Sequence, residues 1–253
     1  MKLSVTHTLS FSLGTPARAV QHLLLTPLAT PQQKIERWSI EMPGFAEAPT
    51  FRDGYGNKAH LVSQVKPEPA IVVKVAGVVE TTDKAGVVGR LEYDPMPALF
   101  RRPTDATKAD AALIEGLTDG PDRIALFHEL MDRVHGRAAA QGQTQDGQSQ
   151  SQGTATPQDM THALIGAVRG LTLPARYVTG YLLDDGGNAS VHAWAELWDE
   201  NLGWIGFDPL LNLCPIDSHI RLASGLDAIS TMPIRSVPVW TEMPAETVEI
   251  VAG

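Results

Sequence analysis

The sequence predicts an α+β protein, with a β-sandwich-like domain at the N-terminus and then a core of helices packed on an antiparallel sheet. Three observations carry this. Apolar and polar residues alternate with period two at the start of the chain. Helical spacing replaces that alternation over about 121–135 and again from residue 157. A two-strand pattern closed by a polar turn follows at 188–215.

The first 95 residues read as strands. Leu3, Val5, His7, Leu9, Phe11 and Leu13 alternate with Ser4, Thr6, Thr8, Ser10 and Ser12, the pattern of a half-buried strand. The turn cluster "DGYGN" at 53–57 separates strand candidates at 34–42 and 58–66. "AIVVKVAGVVET" at 70–81 is β-branched and nearly continuous, so it reads as a strand buried on both faces. No titratable cluster occurs in this half, which suits a scaffold or docking role.

Composition narrows the function. With 20 Lys plus Arg against 29 Asp plus Glu, the 253-residue chain carries a net charge of -9. Nucleic acid and anionic membrane both need a basic surface and are poor partners for it. One cysteine, Cys214, allows neither an intrachain disulfide nor a multi-thiolate metal site, and no metal or other cofactor is expected. "MKLSVTHTLSFSL" has no continuous apolar stretch, so no secretory leader is expected and a reducing, cytoplasmic compartment is the natural setting.

Proline-punctuated "EYDPMPALFRRPTD" at 92–105 marks a boundary, giving expected divisions of 1–95, 96–237 and a C-terminal strand or tail at 238–253. Two helices follow the boundary. The second, about 121–135, has Pro121 in its first turn and Gly136 just past its end. "QGQTQDGQSQSQG" at 141–153 holds six Gln and three Gly and no aliphatic or aromatic residue, which predicts a flexible insertion. At 156–171, Thr156 is a good N-cap, Pro157 a good first helical residue, and Asp159 stands in capping-box position. Met160, Ala163, Leu164, Ala167, Val168 and Leu171 then form one apolar face.

"NASVHAWAELWDENLGWIGFDP" reads as a hairpin of strands 191–198 and 204–208. His192, Trp194, Glu196 and Trp198 share one face. A turn centred near Asn201 pairs Trp198 with Trp204 and Trp194 with Asp208. His192 and Asp208 are then diagonal neighbours about 7–8 Å apart at Cα, a gap their side chains can bridge. An aspartate holding a histidine is the orienting half of a nucleophilic triad.

These motifs resemble the bacterial transglutaminase-like family, a branch of the papain-like Cys-His-Asp fold. "PQDMTHALIGAVRGLTLPARYVTGYLL", "HAWAEL", "LGWIGFDP" and "DSHIRLASGLDAISTMPIRSV" match its motifs in order, and the resemblance covers nearly the whole chain. It implies a transglutaminase/papain-like core after the strand-rich domain. It implies His192 as general base, Asp208 as the residue orienting it, and Trp194, Gln158 and Asp159 as neighbours of the site. The family's nucleophilic cysteine falls on Pro157, and the Gln-rich stretch replaces the segment that leads into it.

Three readings stand on the sequence. One is a pseudoenzyme, a degenerate catalytic triad that binds a peptide or protein partner. The second is an active hydrolase or acyl transferase using Cys214, and the third is water chemistry activated by His192. The resemblance also implies a setting of peptide modification or proteolysis, with an ATP-grasp-type ligase and a proteasome-like peptidase as partner proteins.

Overall fold

The computed structural model describes residues 1–143 and 155–253, so the stretch expected to be flexible at 141–153 lies, from residue 144, outside the described residues. The strands of the first third are β1 (Lys2–Ser12), β2 (Arg18–Thr26), β3 (Gln33–Glu41), β4 (Thr50–Arg52), β5 (Lys58–Val65) and β6 (Ala70–Thr81). A short β7 (Val87–Gly89) leads to α1 (Ala111–Ile114), α2 (Arg123–Gln143) and α3 (Pro157–Gly170). The chain ends in β8 (Ala175–Leu183), β9 (Ala189–Asp199), β10 (Gly203–Phe207), β11 (His219–Gly225), β12 (Ile234–Val237) and β13 (Ala245–Ala252). The result is an α+β fold in which a strand-built domain precedes an antiparallel sheet covered by helices.

Two four-stranded sheets, ordered β13-β1-β6-β3 and β12-β2-β5-β4, form the N-terminal part. Period-two alternation makes them a sandwich: Leu3, Val5, Leu9 and Phe11 of β1 share one core with Leu23 and Leu25 of β2 and Val62 of β5. Each buried side chain of this size contributes roughly 1.5–3 kcal/mol. The expectation that β6 is buried on both faces is corrected. From Ala70 to Ala76 it alternates exposed and buried, and Val72 is open to solvent. β6 lies in an antiparallel sheet with one face outward, so its β-branched run reflects strand propensity as well as burial.

The third sheet, ordered β11-β8-β9-β10-β7, carries the helices on one face. Leu164, Ile165 and Val168 of α3 pack with Phe127 and Leu130 of α2 and with Tyr177, Ala193, Ala195 and Leu197 of the sheet. α3 starts as expected. Thr156 accepts the Asp159 N–H at 3.1 Å, and Asp159 in turn accepts the Thr156 N–H at 3.1 Å. Gly166 lets α3 approach the preceding turn, because a Cβ there would lie 2.6 Å from the Lys108 carbonyl oxygen.

α2 departs from its expected bounds. It begins at Arg123, capped by Asp122, whose carboxylate accepts the Ala125 N–H at 3.0 Å; Pro121 therefore precedes the cap. It runs through Gly136 to Gln143. A glycine costs a helix interior only about 1 kcal/mol, Ala138 to Ala140 are strong helix formers, and Arg137 pairs with Asp110.

Strand pairing crosses the expected divisions at 95 and 238. β7 already belongs to the third sheet through its pairing with β10. β12 pairs with β2, and the expected C-terminal strand is β13, which pairs with β1 over eight registered positions; both strands complete the N-terminal sheets. Three residues of β7 are too few to show a period, and β13 buries only Ile250, which leaves little pattern to read. No helix among the described residues is long and apolar enough to cross a membrane.

Candidate functional site

The hairpin β9–β10 takes the register its turn dictates, with Trp198 opposite Trp204 and Ala195 opposite Phe207. Asp208 follows directly and reaches back to His192, whose Nε2 lies 2.6 Å from Asp208 Oδ2. The strand parity read from the sequence thus places the two side chains together, and both are buried. Asp208 is fixed locally too. Its N–H donates to the Leu213 carbonyl at 2.8 Å, and its Oδ1 accepts the N–H groups of Leu210 and Leu211 at 3.0 and 3.2 Å.

A second imidazole, which sequence reasoning missed, meets the same carboxylate. His219, the first residue of β11, places Nε2 3.2 Å from Asp208 Oδ2. Burial alone would raise the Asp208 pKa, but hydrogen bonds from His192 and His219 outweigh it and hold the carboxyl at about 2. Asp208 is therefore an acceptor, and His192 Nε2 is the nitrogen that donates. No described residue supplies a partner for His192 Nδ1.

Trp194 lies beside the two imidazoles. It is buried, stacked near His192 at 6.3 Å between centroids and edge-on to His219 at 5.5 Å. Gly180 across the ladder makes room for it, since a Cβ there would fall 2.4 Å from the indole. It forms a wall beside the imidazoles and is not among the residues that line the cleft. Glu196, further along β9, bonds Arg176 Nε at 2.5 Å and Arg221 Nε at 2.7 Å, and Arg176 also reaches Asp94 at 2.8 Å. Burial would raise Glu196, but the two guanidinium groups keep its pKa below the usual carboxylate range.

The cleft, about 610 Å³, lies where the N-terminus of α3 meets β8 and β9. Pro157, Gln158 and Asp159 line it together with His192, and the loop from Ala228 to Pro233 closes one side. Pro157 brings no nucleophile and no N–H to that helix end. Cys214 is not among the lining residues. It packs against Gly86, where a Cβ would approach the Cys214 Cβ to 2.8 Å, and burial pushes its thiol pKa up, with the Asp83 charge adding to the effect.

His192, Asp208 and His219 bring three potential metal-ligand atoms within 4.8 Å of one another. Their hydrogen bonds do not fit a metal centre. His219 Nδ1 accepts the Ile216 N–H at 3.3 Å, so the ring proton is on Nε2, the nitrogen that would have to be bare to bind a cation. The trio is a set of proton-bearing donors on a carboxylate.

This geometry agrees with what the chain is similar to. A model of the transglutaminase-like superfamily matches residues 123–209, and one of the bacterial transglutaminase-like N-terminal region matches residues 3–80. An uncharacterized protein of Mycobacterium leprae (strain TN) is 22% identical, with 93% of this chain and 92% of that protein covered. The crystal structure of a "Putative Cysteine Protease from Cytophaga hutchinsonii" superposes with a TM-score of 0.66 at 19% identity, covering 99% of this chain and 90% of that one. At that identity the likeness concerns the fold.

Proposed function

The chain belongs to the transglutaminase-like superfamily, and from that premise we propose that it is a non-catalytic member whose cleft binds a peptide or a protein partner. One observation carries the reading: the cleft pairs an aspartate-held His192 with Pro157, and no thiol lines it. A covalent mechanism needs its nucleophile within about 2.6–3.2 Å of the base. Losing the nucleophile of a triad costs on the order of 10⁶ in rate. What survives is recognition. With Nε2 donating to Asp208, an imidazole at His192 offers a lone pair on Nδ1 to a ligand N–H, such as a glutamine side-chain amide. Thr156, Gln158 and Thr179 add polar contacts, and Val191, Ile229 and Met232 add apolar ones. A volume of this size suits one or two residues of a peptide. The setting that fits such a protein is peptide modification or proteolysis, beside an ATP-grasp-type ligase and a proteasome-like peptidase.

A blocked Gln-Gly dipeptide is the probe. It should bind in a calorimetric titration, lose at least about tenfold in affinity in His192→Ala, and release no ammonia over hours. Ammonia release would promote water chemistry at His192 in place of binding. Binding indifferent to His192 would move the site elsewhere.

A further inference from the structure

We propose that His219 is a positioning residue: as a second imidazole donating to Asp208, it fixes the carboxylate and thereby fixes which nitrogen of His192 carries the proton. The first step is its tautomer. A backbone N–H can only donate, and the Ile216 N–H points at His219 Nδ1 from 3.3 Å. That nitrogen holds a lone pair, which the Ser218 hydroxyl at 3.5 Å can also reach. An imidazolium would set N–H against N–H there. The acceptor at Nδ1 places the His219 ring proton on Nε2, directed at Asp208 Oδ2.

The second step is saturation of the aspartate. Leu210 and Leu211 supply two N–H groups to Oδ1, and His192 and His219 supply two to Oδ2. Four donors on two oxygens leave the carboxylate no second orientation of similar energy. His192 then has one way to bond, through Nε2, and its Nδ1 lone pair is left for the cleft. Without His219, Oδ2 would keep a single imidazole donor and the carboxylate could tilt, letting the His192 ring sample both tautomers. Trp194 stands edge-on to His219 at 5.5 Å, so the ring is packed as well as bonded.

His219 matters to function only if the binding reading above holds, but tautomers can be read in the ligand-free chain, so the two can fail separately. Long-range proton–nitrogen spectra of ¹⁵N-labelled protein distinguish the two neutral forms of each of the eight histidines. In the wild type, His219 and His192 should each show the proton on Nε2 alone. His219→Phe fills the space beside Trp194 but donates nothing, and the single-tautomer pattern of His192 should be lost. His219→Gln has both a donor and an acceptor, and it should restore that pattern. A proton on Nδ1 of wild-type His219 overturns the proposal even if the Phe variant fails to fold. So does a His192 pattern identical in the wild-type, Phe and Gln chains, which would reduce His219 to a packed core residue.

Discussion

Pro157 and Thr156 together set what the end of α3 can do. Thr156 and Asp159 satisfy the first free N–H groups of the helix, so the end is well ordered without a ligand. Pro157 makes no hydrogen bond that a replacement would break, so Pro157→Cys should cost about 1 kcal/mol or less. The introduced thiol would sit at a helix N-terminus, where the dipole and free N–H groups favour its anion. It should react with iodoacetamide well below the ordinary thiol pKa of about 8.5, and the reaction should slow in the double variant with His192→Ala. An inert thiol, or equal rates with and without His192, would mean that the cleft keeps the fold of a triad without its placement. Wild-type Cys214, half-buried and with its thiol pKa raised, is the slow internal reference in the same experiment.

At the scale of elements, legibility followed sequence distance. The His192–Asp208 pair could be read because a strand's side chains alternate strictly and the turn between β9 and β10 fixes the register. The start of α3 could be read because capping is local. His219 could not: β11 reaches the site only by pairing with β8, an arrangement no spacing within the chain announces. The only cue was that its segment matched the family motif, which assigned it no role. The same applies to the ion cluster, where Arg176 of β8, Glu196 of β9 and Arg221 of β11 meet across three strands. All three are almost fully buried, so removing the acid leaves Arg221 without its carboxylate and Arg176 with Asp94 alone. Glu196→Gln should cost about 3–5 kcal/mol in denaturant unfolding. A loss under about 1 kcal/mol would show that water reaches the guanidinium groups.

Over the whole molecule, the last strand seals the first. β13 covers the outer edge of β1 along most of its length, and Ile250 joins the sandwich core. Deleting residues 245–252 should cost at least about 2 kcal/mol from Ile250 alone and leave β1 as an open edge. A lower melting temperature and higher-order species on size exclusion are the expected result. An unchanged melt and a clean monomer would make β13 an appendage. The same pairing sets a schedule for biosynthesis. Leu3 and its partner Ala252 lie 249 positions apart in the chain, and at about 5–20 residues per second the first strand waits on the order of ten seconds or more for this partner. Through that interval the nascent sandwich has β1 and β2 each lacking a neighbour, so the edge of β1 stays open to pairing with other chains until β13 is made.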